Sequence, residues 1–177
     1  LKLAMEPEFS NMLLKKLVPT AKAFAKAQIE AGCDIIGMGD AICSQISPKM
    51  YANLVKDLHL EIIDYIHSQG ALVKVHICGN ITRLLPHLAE LKPDIVDIDW
   101  MVNMDQAYDV LGPEIIRSGN LDPAAVIEQL SAEEVYAQLK PPGSLAICEK
   151  MFKLLTQKGE RGRGVRRPAR FSEIRSV

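Results

Sequence analysis

Leu72-Val73-Lys74-Val75-His76-Ile77-Cys78-Gly79-Asn80 runs into Ile81–Leu91 and then into Asp94-Ile95-Val96-Asp97-Ile98-Asp99. The first run is short and mostly apolar, as suits a parallel strand buried on both faces. The second carries apolar residues at helical spacing, and the third repeats the strand pattern. Strand, helix, strand in this order is a βαβ unit, which commits the chain to a parallel sheet.

The pattern extends both ways. Upstream, Asp34-Ile35-Ile36-Gly37-Met38-Gly39-Asp40 reads as a strand. Before it, residues 9–31 are helical by pattern, with Leu13, Leu17, Phe24, Ala27 and Ala31 as the expected stripe. Pro19 is expected to kink or split that helix, and Gly32 to end it. Ser47-Pro48 supplies an N-cap and a first-turn proline. Tyr51, Leu54, Val55, Leu58, Ile62, Tyr65 and Ile66 form the stripe of the helix that follows, and Gly70 closes it. Downstream come a helix at Met104–Leu111, a strand at Glu114–Ser118 and a helix restart at Asp122-Pro123. Ser131–Leu139 and Ser144–Lys158 are further helices. About four β/α units fit either an open doubly wound sheet or part of a β/α barrel. No glycine-rich phosphate loop follows any strand, which disfavours nucleotide binding.

Composition narrows the class. Of the 177 residues, 48% are hydrophobic and 24% charged, the balance of a globular protein with a core. No apolar run approaches the ~18 residues of a membrane span. Leu1-Lys2-Leu3-Ala4-Met5-Glu6-Pro7 lacks the pattern of a signal peptide, so a cytoplasmic protein is expected. Cys33, Cys43, Cys78 and Cys148 show no paired short spacing, so each reads as a reduced thiol. Cys33 and Cys148, on helical patterns, read as core, and His59, His67 and His87 as solvent-facing or structural. Residues 158–177 hold seven basic and two acidic side chains; with a net charge of −1, the rest of the chain is six negative. This tail offers only Phe171 to stack on a base, and no nucleic-acid role is expected.

Each strand ends in polar residues. In a strand, positions i and i+2 share a face, so His76 and Cys78 project together, and both are good zinc donors. A core histidine beside a buried free cysteine would show the same spacing. Asp97 and Asp99 also share a face, and paired carboxylates can divide acid and base roles. Asp40 ends its strand where it can contact substrate, cap a helix or hold a turn. Asn80 and Asn120 are candidate ligand-binding amides, and Asp122 is a candidate N-cap.

Gly32-Cys33-Asp34-Ile35-Ile36, Gly39-Asp40 with Ile46-Ser47-Pro48, His76-Ile77-Cys78-Gly79-Asn80, Asp97-Ile98-Asp99-Trp100 and Gly119-Asn120-Leu121-Asp122-Pro123 occur in one order along the chain. Together they resemble the superfamily of uroporphyrinogen decarboxylases and methylcobamide:thiol methyltransferases, over about residues 8–164. The resemblance implies a parallel (β/α)8 TIM-type barrel, present here as an incomplete barrel of about four units. The His-x-Cys-Gly-Asn element is similar to the methyltransferase branch, in which such a pair and a distant cysteine bind zinc. Decarboxylases need no metal and tend to carry a serine near the position of Ala41.

The resemblance therefore implies Zn2+ on His76 and Cys78, a methylated corrinoid as substrate or partner-bound cofactor, and methyl transfer to a thiol or related acceptor. Zinc favours the thiolate form of a bound thiol at neutral pH. Asp40, Asp97 and Asp99 are the implied catalytic candidates, and Asn80 and Asn120 the substrate-binding ones. A corrinoid protein, a small thiol or tetrapyrrole ligand and a second copy of the chain are the expected partners. The alternatives are a uroporphyrinogen decarboxylase and a non-catalytic remnant.

Family members are longer and carry a late Gly-Cys strand for the third zinc ligand. Gly162-Arg163-Gly164 resembles the approach to it, but Val165-Arg166-Arg167-Pro168-Ala169-Arg170 replaces the apolar run. Residues 1–164 are thus expected to be the C-terminal part of such a barrel, and 165–177 an aberrant basic tail that leaves the third ligand missing.

Overall fold

Four strands lie side by side in the order in which the chain makes them. A computed structural model describes residues 5–138. It shows β1 (Ile35–Gly39), β2 (Leu72–His76), β3 (Ile95–Ile98) and β4 (Ile116–Gly119) in one sheet ordered β1-β2-β3-β4. Every neighbouring pair is parallel. A doubly wound sheet reverses its strand order at a switch point, and no reversal occurs among the four strands of the described residues. This is a partial TIM-barrel-like α/β fold.

Helices fill the connections. α1 (Pro7–Glu30) precedes β1; a 3₁₀ turn (Ala41–Gln45), α2 (Pro48–Leu54) and α3 (Lys56–Ser68) join β1 to β2. α4 (Leu85–Leu91) and α5 (Met104–Leu111) make the next two crossovers. A π-helical turn (Pro123–Glu128) and α6 (Ala132–Gln138) follow β4. The ends obey local chemistry. Ser47 Oγ accepts the Met50 amide at 3.2 Å, and Asp122 Oδ1 accepts Ala124 and Ala125 at 2.9 and 3.0 Å. Ser131 and Glu134 bond each other's backbone amides as a capping box. Gly32 and Gly70 both adopt positive φ where their helices stop.

The sheet has two unlike faces. Ile36, Val73, Val75, Ile77, Val96 and Ile98 join Ile63, Ile66, Leu85 and Leu88 in one core beneath the helices. The alternate residues form the other face. It runs from buried Leu72, Ile95 and Ile116 low on the strands to polar residues at their C-terminal ends.

Four expectations need correction. The α1 stripe is not Leu13, Leu17 and Phe24, which are exposed; Val18, Ala25 and Ile29 face the core. Nor is α1 split at Pro19. Both Pro19 and Lys15, whose carbonyl loses its helical donor, are exposed, so water can satisfy the freed group. The helix expected from Ser47 to Gly70 is broken at Val55 into α2 and α3. Cys33 is exposed rather than core. Cys148, Gly162-Arg163-Gly164, the Ser144–Lys158 helix and the 165–177 tail lie outside the described residues.

Candidate functional site

Strand register builds the site. Gly39 pairs with His76, His76 with Asp97, and Asp97 with Ser118. One row of side-chain positions therefore crosses all four strands on the open face, at the end where barrel enzymes gather reactive groups. Gly39 leaves its position empty, and a β-carbon there would meet nothing within 4 Å.

Asp97 organises the row. Its Oδ2 accepts Lys74 Nζ at 3.0 Å and its Oδ1 accepts Ser118 Oγ at 2.9 Å. Burial opposes ionisation, but these two hydrogen bonds, with the nearby charges of Lys74 and His76, outweigh it and hold the carboxyl below its ordinary range. Lys74 lies two residues before His76, hence on the same face. Lys74 and Ser118 are not among the candidates that the sequence pattern picks out, although a lysine inside an apolar strand is a visible signal.

His76 and Cys78 converge, with Nε2 and Sγ 3.1 Å apart. His76 Nδ1 lies 3.0 Å from the Asp97 carbonyl oxygen and donates to it. That bond leaves Nε2 as the free electron pair, aimed at the thiol. An imidazole held by a backbone carbonyl, with its other nitrogen facing a ligand partner, is the common arrangement of metal-binding histidines. The donor set thus fits a zinc-like ion as two of its ligands.

The remaining candidates are placed differently. Asp99 Oδ2 accepts the Gly79 amide at 2.8 Å and its Oδ1 accepts the Met101 amide at 3.2 Å, so it ties together the loops after β2 and β3. Asn120 Nδ2 donates to the Val102 carbonyl at 2.8 Å. Asn80 accepts the Thr82 amide at 3.1 Å and lines a cavity of about 520 Å³ with Ser44, Ser47 and Arg83.

Asp40 does not join the row. It sits on the helix side of the sheet, with Oδ2 3.3 Å from His59 Nε2. The His59 hydrogen bond lowers its pKa, against burial, and a bond from Cys43 adds to that. His59 is not solvent-facing: it is buried, and its Nδ1 lies 3.0 Å from the Tyr51 hydroxyl.

Comparison with known proteins agrees with this architecture. The family model described as "Uroporphyrinogen decarboxylase (URO-D)" matches residues 2–141. The chain belongs to the uroporphyrinogen decarboxylase family. Among its relatives is the uroporphyrinogen decarboxylase of Streptomyces coelicolor, 31% identical over 129 residues. That match covers 73% of this chain and 36% of the relative. The Carboxydothermus hydrogenoformans decarboxylase is 30% identical over 145 residues, covering 78% of this chain and 41% of its own. This member of the family therefore spans well under half the length of the relatives it matches. A methyltransferase from Methanosarcina mazei superposes with a TM-score of 0.65 at 19% identity, over 73% of this chain and 38% of that one. The likeness is one of fold. Among the described residues, no helix is long and apolar enough to cross a membrane.

Proposed function

We propose that the open face of this sheet is the metal-holding half of a methyltransferase site, moving a methyl group from a methylated corrinoid to a thiol or similar acceptor. The observation that carries this reading is the His76–Cys78 pair. The two side chains meet at 3.1 Å, and the Asp97 carbonyl fixes the imidazole tautomer that leaves Nε2 free. Zinc bound there would supply Lewis acidity that keeps an incoming thiol in its thiolate form.

The chain's own residues do the rest. Asp97 orients His76 through its backbone while its carboxylate is held by Lys74 and Ser118. Cys78 is exposed and His76 partly so, leaving the pair open to a substrate above the strand ends. In that transfer the thiolate sulfur would take the methyl group as the cobalt–carbon bond breaks, the bonding pair would stay on the corrinoid cobalt, and the thiol proton would go to solvent. A corrinoid protein is the natural carrier of the donor.

The test is methyl transfer from methylcobalamin to a small thiol by the purified protein, with and without added zinc. Two protein ligands of the expected three hold zinc weakly, so the chain by itself is expected to show little turnover, and the zinc-dependent part of it to be lost in both His76→Ala and Cys78→Ala. Turnover unchanged by either substitution overturns the assignment. A second reading, decarboxylation of a tetrapyrrole's acetate groups, draws on the names of the curated relatives and on Lys74, a cation on the open face suited to a carboxylate. Metal-independent decarboxylation of uroporphyrinogen, lost in Lys74→Met, would decide for it.

A further inference from the structure

Behind the His76–Cys78 pair, on the helix side of the same strand ends, three side chains from separate elements meet. Asp40 follows β1, Cys43 lies on the 3₁₀ turn and His59 on α3. Their ligand atoms all lie within 4.8 Å of one another, and among the described residues this is the one such group of three. We propose that Asp40, Cys43 and His59 form a second metal site, for zinc or a divalent ion of similar softness. This site is independent of the methyltransferase reading.

Geometry supports it. Ligand bonds of about 2.0–2.1 Å to nitrogen and oxygen at tetrahedral angles place those two atoms about 3.3 Å apart. His59 Nε2 and Asp40 Oδ2 are 3.3 Å apart. That separation is long for a charge-assisted hydrogen bond, which closes to about 2.7–2.9 Å. Cys43 and His59 are 2% and 7% exposed, so bulk water does not compete for them. The far nitrogen of His59 faces the Tyr51 hydroxyl at 3.0 Å, which supplies the outer partner that orients metal-binding imidazoles.

Access exists too. Asp40 and His59 line a cavity of about 330 Å³ between α1 and the β1 edge. Carboxylate, imidazole and thiolate suit zinc, and three protein ligands leave a fourth position for water. Binding replaces the Cys43 S–H bond with an S–metal bond and releases that proton to solvent. The Asp40 amide donates to the His76 carbonyl at 3.1 Å, so an ion here would also pin the backbone beneath His76.

The experiment uses the full chain carrying His76→Ala and Cys78→Ala, which removes the pair on the open face. After stripping with chelator and dialysis against zinc, this variant retains one equivalent by elemental analysis. With cobalt it shows a thiolate-to-metal charge-transfer absorption. Adding Cys43→Ser abolishes both signals. Asp40→Asn, a half-exposed position whose change leaves the fold intact by circular dichroism, weakens zinc binding by about tenfold or more. A double variant that retains no zinc overturns the proposal, as does one whose affinity Asp40→Asn leaves unchanged.

Discussion

Asp97 uses both carboxylate oxygens on neighbours, Lys74 at 3.0 Å and Ser118 at 2.9 Å, while its backbone carbonyl holds His76. Its lowered pKa makes it a source of acid sensitivity. A depressed carboxyl contributes stability that is fully present above the ordinary value of 3.8 and is lost as pH falls through the lower folded-state value. Asp97→Asn should therefore cost about 1 kcal/mol at neutral pH, the usual worth of a partly exposed charged hydrogen bond. The variant should also lose less stability on acidification. Melting temperatures from neutral pH down through that range check it, and parallel acid limbs for variant and wild type would count against the assignment. The His76–Cys78 convergence was legible from strand period alone, because i and i+2 must share a face. Lys74 and Ser118 were not, since their meeting at Asp97 depends on register between strands, which no single strand encodes. The Asp40–Cys43–His59 cluster depends further on how a short turn packs against α3.

At the level of elements, glycine placement separates freedom from necessity. Gly119 ends β4 at φ +101°, and a β-carbon there would lie 2.1 Å from the Ile98 carbonyl oxygen. Gly119→Ala must move backbone, so a loss of about 3 kcal/mol or more is expected. Gly39→Ala, with open space and no positive φ, should cost well under that. Denaturant midpoints compare the two directly, and equal losses would contradict the close approach. Ser47→Ala removes the cap on the Met50 amide and should cost about 1 kcal/mol. A midpoint unchanged within error would mean that α2 does not depend on it. Strands, their order of appearance and most helix starts were readable in advance, because caps, prolines and glycines act locally. The inward face of α1 was not. That helix carries apolar residues on two sides, Leu13, Leu17 and Phe24 on one and Leu14, Val18 and Ile29 on the other. Periodicity counts both and cannot say which one meets the sheet.

Over the whole molecule, the outward side of α1 becomes a property of the surface. Met12, Leu17 and Phe24 are 52%, 56% and 69% exposed, and Leu13 lies among them. Beside them runs β1, which pairs only with β2 among the described residues. Apolar side chains next to a strand edge favour association, since burial is worth about 25 cal/mol per Å² and an edge offers backbone groups for pairing. The 177-residue chain is therefore expected to self-associate, with a mass by sedimentation that rises with protein concentration. Leu17→Lys with Phe24→Glu should shift it towards monomer. Both side chains are mostly exposed, although they also line the cavity that reaches Asp40 and His59, so the fold should lose no more than about 0.5 kcal/mol per change. If association persists in that double variant, the α1 face is not the contact. A wild-type chain that sediments as a monomer at every concentration would show that something else covers this face.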